Sequence, residues 1–300
     1  MESRALMDTY DEVAVAAPSS TTPALRLAHT APAERAERPP QPRPSRPARH
    51  GEPWRYVLNG VEHLVTVSVI VPARNEAANL ARLLEDLPPV YEVILVDGNS
   101  VDGTVEVARA ALPSVRAVGQ PGKGKGDAMR AGLNAATGDI SVFIDADGSN
   151  VAAEVERFVL ALMSGADMAK GSRFLERGGS IDITGIRRLG NWGIRTIVNK
   201  RYATHFTDIA YGFNAIWTRH RDVLDLDCCG FEIETLMHVR AARAGLVIEE
   251  VPSFEGKRNV GATNLHALRD GLRIAALLVR EHCDEYVNGQ ARFVALEGVA

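Results

Sequence analysis

Ile140-Ser141-Val142-Phe143-Ile144-Asp145-Ala146-Asp147-Gly148-Ser149 is the stretch on which the fold turns, a short apolar run that ends abruptly in carboxylates. A run of that length and character reads as a buried strand of a parallel sheet. The same signature returns on either side of it. Thr66 to Val71 is a β-branched run stopped by Pro72, Glu92 to Val96 is a second, and Val115 to Val118 a third. Amphipathic stretches separate them. Glu76 to Leu87 puts Leu80, Leu83, Leu84 and Leu87 on one stripe, another helix opens near Gly103 or Thr104, and Asp127 to Ala136 is helical with Gly138 as its stop. Strands alternating with helices predict an α/β domain with a mostly parallel sheet.

Downstream the pattern is less regular. It predicts a helix over Ala152 to Met163, a strand near Met168 to Gly171, and an irregular stretch of Gly, Arg and Asn to Ala203. Then come a strand from Tyr211 to Trp217, a helix from Phe231 to Ala244, a strand from Val247 to Val251 and a closing helix from Leu265 to His282. In that last helix Leu268, Leu272, Ala275, Ala276 and Val279 share one side, the patterning of a core face. This half reads as α+β additions to the same sheet. Residues 1–60 hold most of the prolines, as in Pro39-Pro40-Gln41-Pro42-Arg43-Pro44. Such a segment cannot bury enough apolar surface to offset its ordering entropy and is expected to be a disordered tail. One domain over 61–285 and a short C-terminal tail over 286–300 complete the expected organisation.

The chain has 300 residues, 46% of them hydrophobic, enough to bury its own core, and its net charge of -4 argues against nucleic acid as a partner. Any anionic ligand must therefore be met by local cations. Cys228, Cys229 and Cys283 show no metal-ligand spacing and suit a reduced, cytoplasmic setting. No segment approaches the roughly 20 apolar residues that cross a bilayer, so a membrane is expected at most as a peripheral surface on its inner face. Nothing in the sequence fixes an oligomeric state.

In open parallel sheets ligands bind at the carboxyl ends of strands. Here those ends are polar: Arg74, Asn75 and Glu76 after the first strand, Asp97, Asn99, Ser100 and Asp102 after the second, Asp145, Asp147 and Ser149 after the apolar one. Singly, each has a plain structural use as a helix cap or turn residue. Asp145 and Asp147, one residue apart, can turn two oxygen ligands to one side, as Mg2+ or Mn2+ prefers while keeping places for water and phosphate. Gly122-Lys123-Gly124-Lys125-Gly126-Asp127 supplies the cationic counterpart, with glycines for close backbone approach and a helix N-terminus to favour an anion. No Ser or Thr follows a lysine there, so it is not a Walker A loop.

These residues resemble family 2 glycosyltransferases of the GT-A fold, particularly the polyprenyl-phosphate (dolichol-phosphate-type) mannose and glucose synthases. The resemblance rests on Val69 to Glu76, Val96 to Thr104, Gly124-Lys125-Gly126, Asp145 to Ser149, Gly171-Ser172-Arg173-Phe174, and Glu250-Val251-Pro252 with Arg258, Gly261, Thr263, Asn264 and Leu265. It spans nearly all of 66–270 in order. It implies a nucleotide pocket lined by Pro72, Arg74 and Glu76, a base met by Asp97, and Lys125 near the nucleotide. It further implies Asp145, Ala146 and Asp147 at the sugar nucleotide, with Asp145 and Asp147 on the metal, and Arg173 and Arg258 toward a phosphate. Two departures stand out. Gly98 replaces the second acidic residue common after strand two, which leaves UDP and GDP both open. Thr263-Asn264-Leu265 stands where a Ser-Lys-Leu-like element is usual.

The expected reaction is displacement at the sugar's anomeric carbon, with inversion implied by the resemblance. A phosphate acceptor attacks as an anion and leaves Arg173, Arg187, Arg188 and Arg258 as positioning groups. A hydroxyl of a soluble small molecule needs a general base, for which Asp208, Glu232 and Glu234 are the candidates, with at most one of the two glutamates facing the site. A sugar nucleotidyltransferase would carry a glycine-rich loop after the first strand, where Pro72-Ala73-Arg74-Asn75-Glu76 has no glycine.

Overall fold

A computed structural model of the chain describes residues 43–45, 49–58, 60–258, 260–261 and 267–297. Twelve strands lie among the described residues: β1 (Arg43–Ser45), β2 (Trp54–Leu58), β3 (Val61–Val65), β4 (Val67–Ala73), β5 (Glu92–Asp97), β6 (Arg116–Gly119), β7 (Ile140–Phe143), β8 (Met168–Ser172), β9 (Gly179–Ser180), β10 (Asn214–Trp217), β11 (Ile248–Pro252) and β12 (Phe254–Glu255). The α-helices are α1 (Ala77–Asp86), α2 (Thr104–Ala111), α3 (Lys125–Ala135), α4 (Val155–Met163), α5 (Gly185–Tyr202), α6 (Arg221–Leu224), α7 (Ile233–Arg243) and α8 (Ala267–Glu297). Seven strands form the central sheet in the order β11-β8-β10-β7-β4-β5-β6. Only β10 runs against its neighbours β7 and β8; the other pairings are parallel.

Period-two alternation along the buried strands splits the core between the two faces of this sheet. Val69, Val71, Val93, Leu95 and Val142 pack with Leu80, Leu83 and Leu84 of α1 and Phe158, Val159 and Leu162 of α4. Ile70, Ile94, Val96 and Phe143 turn the other way, onto Met129 and Leu133 of α3 and Ile233, Leu236 and Met237 of α7. The sequence therefore yields an α/β layered sheet, and every predicted strand–helix alternation up to residue 144 is present within a few residues of its expected ends.

Several expectations need correction. Pro72 does not stop the first strand; β4 continues through it to Ala73, paired with β5. Ile144 donates to the carbonyl of Ile70, so the edge of β4 facing β7 is the one on which the missing Pro72 N–H falls, beyond Phe143, the last paired residue of β7. The expected tail over 1–60 extends too far. β2 and β3 form a hairpin with Leu58 opposite Val61, and Trp54 and Tyr56 are fully buried in the main core. Asn59-Gly60 between two alternating runs was the available signal, and Gly60 has φ of 78°. The irregular stretch to Ala203 contains the 18-residue α5. The closing helix continues past His282 to Glu297, so most of the expected tail over 286–300 is helical. Its expected core stripe is also on the wrong side: Leu272, Ala275, Ala276 and Val279 are exposed, while Ile274, Leu277 and Glu281 are buried. Among the described residues no helix is long and apolar enough to cross a membrane.

Candidate active site

The carboxyl ends of β4, β5 and β7 carry the polar loops predicted for them. Asn75 and Asn99 adopt left-handed backbone angles, φ 56° and 60°, that Asn tolerates better than most side chains. Their loops are tied together. Asn75 Oδ1 accepts from the Val101 N–H at 2.9 Å, Ser100 Oγ accepts from the Asn75 N–H at 2.9 Å, and Asp102 Oδ2 accepts from the Ala77 N–H at 3.0 Å. Asn75, Ser100 and Asp102 thus hold the rim. Arg74 is exposed and Asp97 half-buried beside it, with the Asp97 carboxylate accepting from the Ser100 N–H. A Cβ at Gly98 would lie 2.9 Å from Gln120 Oε1 and 3.2 Å from Arg74 Cβ, so a second acidic side chain on this rim would first require the Gln120 side chain to swing aside.

Asp145 follows β7 by two residues, and its N–H donates to Asn150 Oδ1 at 3.0 Å. Lys125, the first residue of α3, reaches across to it, with Nζ 2.5 Å from Asp145 Oδ1 and 2.6 Å from Glu234 Oε1 on α7. Burial pushes the Glu234 carboxyl above its usual range despite the Lys125 ammonium, and the two carboxylates hold the Lys125 proton more tightly than usual against its own burial. Asp145 thus carries its own cation. The glycines around Lys125 serve packing as well as access. The Gly126 N–H donates to the Cys229 carbonyl at 2.9 Å, and a Cβ on Gly124 or Gly126 would strike the backbone of Cys229 or Cys228.

Asp147 is half-buried. Its Oδ1 accepts from the Ser149 N–H at 3.0 Å, and its Oδ2 lies 3.5 Å from Arg258 Nη1. Arg258 Nη2 also contacts Glu76 Oε1, so one guanidinium spans the loops after β4 and β7. Asn79, not anticipated from sequence, fixes this arrangement: its side chain bonds Glu76 Oε2 at 2.7 Å and both backbone groups of Val260, at 2.9 and 3.1 Å. Asp147, half-buried and bordered by a cation suited to phosphate, is a hard oxygen donor of the kind that Mg2+ or Mn2+ takes alongside diphosphate and water, and among the described residues no cluster of three side-chain ligands encloses a metal site. Ala146, between the two aspartates, is buried and serves the core. Thr263, Asn264 and Leu265 lie outside the described residues.

The expected arginine cluster is divided. Arg173 is buried, its Nε and Nη2 gripping Asp208 at 2.7 and 3.0 Å and its Nη1 3.1 Å from Glu255 Oε2. Asp208 is correspondingly removed as a general base. Burial opposes its charge, but the Arg173 guanidinium outweighs that and holds its carboxyl below the usual range. Arg173 has no guanidinium nitrogen turned to an outside phosphate, because Nη2 also donates to the Ala210 carbonyl at 2.8 Å. Arg187 lies 3.4 Å from Asp182 and Arg188 sits over the Phe174 ring, both on α5. Glu232 takes the Gly230 N–H at 3.0 Å and lies outside the Lys125 cluster, whereas Glu234 points into it. Glu255 was missed in the sequence because it belongs to a two-residue strand, β12, too short to leave a pattern.

With this geometry in place, the comparisons with known proteins are specific. The model of the family described as Glycosyl transferase family 2 matches residues 68–225. An uncharacterized glycosyltransferase of Mycobacterium tuberculosis (strain ATCC 25618 / H37Rv) is 34% identical over 219 residues, 70% of this chain and 94% of that protein. Polyprenol monophosphomannose synthase of Mycolicibacterium smegmatis is 29% identical over 221 residues, 66% of this chain and 80% of that protein. Among solved structures, glucosyl-3-phosphoglycerate synthase from Mycobacterium tuberculosis, in complex with Mn2+, UDP-glucose and phosphoglyceric acid, has a TM-score of 0.58 at 24% identity, covering 72% of this chain and 79% of that one. That likeness is one of fold.

Proposed function

The chain belongs to glycosyl transferase family 2, and from that premise we propose that it transfers a sugar, with inversion, from a UDP- or GDP-linked donor to a polyprenyl phosphate. The observation that carries the acceptor class is the pairing of two of the three candidate bases, Asp208 and Glu234, with cations. Asp208 is clamped by Arg173 and Glu234 by Lys125; Glu232 accepts from the Gly230 N–H through Oε1, and its buried Oε2, without a partner among the described residues, lies outside the Lys125 cluster. A hydroxyl nucleophile needs a free base, whereas a phosphate oxygen attacks as an anion without one. The name of the Mycolicibacterium smegmatis relative supports the same class.

The donor half rests on the chain's own charges. Pro72, Arg74, Glu76 and Asp97 border the nucleotide, Lys125 neutralises Asp145, and Asp147 is the carboxylate left to face a metal. When bound, Mg2+ or Mn2+ neutralises charge on the departing nucleoside diphosphate. Arg258, reaching both Asp147 and Glu76, offers a planar guanidinium to phosphate oxygens. In the transfer the acceptor phosphate oxygen bonds to the anomeric carbon as the bond from that carbon to the diphosphate breaks. The electron pair leaves with the nucleotide and no proton moves.

The test incubates the protein with Mn2+ or Mg2+ and a panel of sugar nucleotides, measuring nucleotide release with and without polyprenyl phosphate. Release that requires the lipid phosphate is expected; release only with a soluble hydroxyl compound overturns the acceptor. Asp147→Ala is expected to lower transfer by about 100-fold or more with its thermal melt unchanged, on the scale of removing one preorganised charge-stabilising group. Full activity in that variant removes Asp147 from the metal site.

A further inference from the structure

An ordinary surface helix buries its apolar stripe and shows polar residues to water. Helix α5 does the reverse. Its inner face is Asn191, Ile194, Val198 and Tyr202, with Asn191 and Val198 fully buried and Val198 packed beside Phe206, Ile209 and Val239. Successive residues step by about 100° around the axis, which sets Ile186, Leu189, Gly193 and Ile197 on the opposite side, with Trp192 at its margin. Ile186 is 72% exposed, Leu189 67%, Trp192 56% and Ile197 58%. Ile181, just before the helix, is 58% exposed. Helix α8 packs beside α5, with Arg201 Nε donating to His282 Nδ1 at 3.2 Å, and carries the exposed Leu272 and Val279.

The charge of α5 says what such a face would meet. It holds Arg187, Arg188, Arg195, Lys200 and Arg201 and no acidic residue, in a chain whose net charge is -4. Apart from Asp182, which precedes the helix and pairs with Arg187, the charges beside this apolar face are cations, and such a face matches an anionic lipid surface, where apolar insertion and attraction to headgroups act together. The start of α5 is tied to the candidate site: the Ile181 N–H donates to the Glu255 carbonyl at 3.1 Å, and Glu255 bridges Asn150 in the loop that carries Asp147.

We propose that the outward face of α5, with the exposed apolar residues of α8 beside it, is a docking surface for an anionic lipid bilayer. The inference deepens the lipid-phosphate reading of the acceptor and rests on it: docking here brings the candidate site beside the surface in which a polyprenyl phosphate resides.

The test uses the full chain, without donor or acceptor, and vesicles of phosphatidylglycerol and phosphatidylcholine or of phosphatidylcholine alone. The protein is expected to sediment with the anionic vesicles and to release them as salt rises, with Trp192 fluorescence shifting to the blue on binding. The double variant Leu189→Glu with Ile197→Glu, at sites that touch no residue of the candidate site, is expected to lose at least tenfold in vesicle affinity with an unchanged melt. A wild-type chain that stays in the supernatant, or a variant that sediments equally, overturns the proposal. So does a wild-type dimer in sedimentation velocity that the variant dissociates, since the face would then join two copies. Because these vesicles contain no polyprenyl phosphate, docking without lipid-dependent nucleotide release would overturn the acceptor reading and leave the docking surface standing.

Discussion

Lys125 Nζ, 2.5 Å from Asp145 Oδ1 and 2.6 Å from Glu234 Oε1, shares a space with two carboxylates from which water is largely excluded. Breaking such a cluster costs more than the cluster contributes, because the remaining charges keep their desolvation penalty without a partner. Lys125→Met should therefore destabilise by about 3 kcal/mol in urea unfolding. Adding Glu234→Gln should restore part of it, and strictly additive effects would show that the two do not interact. Arg173 and Asp208 give a pH prediction. The folded Asp208 carboxyl is depressed by the guanidinium despite its burial, so its contribution is complete above the unfolded aspartate pKa of about 4 and is lost as pH falls through the folded value. Asp208→Asn should flatten the fall in stability between about pH 5 and pH 3; parallel curves for variant and wild type would refute the assignment. How far the sequence revealed these groups depends on range. Asp145, Asp147 and Lys125 sit within short motifs at strand or helix ends and could be read directly. The contact of Arg258 with Glu76, and that of Arg173 with Asp208 and Glu255, join distant segments, and no local pattern encodes which carboxylate an arginine will meet.

At the scale of elements, the loop opening α3 is shaped as much by its neighbour as by any ligand. A Cβ on Gly126 would overlap the Cys228 carbonyl, and one on Gly124, at φ 87°, that of Cys229. Gly126→Ala must push the 228–230 backbone away from α3, on which Lys125 is carried, so both stability and donor affinity are expected to fall. A loss of roughly 1–3 kcal/mol is the scale of overpacking at a tight contact. Urea unfolding and nucleotide binding together test it, and an unchanged pair of values would mean that the segment yields freely. Periodicity identified the strands and helices of the first half because there the apolar stripes point into one sheet. It failed at α5 and reversed the sides of α8 for one reason: their exposed faces are apolar, so hydrophobicity no longer marks the interior.

At the scale of the whole molecule, the Pro-rich composition of the first 60 residues hid the place where the folded unit begins. The described residues from Arg43 onward form one compact unit, and the hairpin of β2 and β3 is part of its core. Trp54 is fully buried, its Nε1–H donates to the Pro89 carbonyl at 2.9 Å, and the Gly51 N–H donates to the Val90 carbonyl at 3.0 Å. Pro89 and Val90 lie between α1 and β5, the helix and strand that position Glu76 and Asp97. The hairpin therefore braces α1 and β5 from behind while contributing no residue to the candidate site. Trp54→Ala should cost about 3–5 kcal/mol, the range for emptying a buried aromatic site. A chain that starts at residue 66 should lose more, since it also uncovers Leu87 and Val90, whereas one that starts at residue 49 should keep the hairpin and its contacts with 89–90. Thermal melting and nucleotide release of both shortened chains decide the matter. Equal melting of the chain from 66 and the full chain would make the hairpin an appendage, and a lower melt with proportionate loss of nucleotide binding would mark it as the rear wall of the donor site.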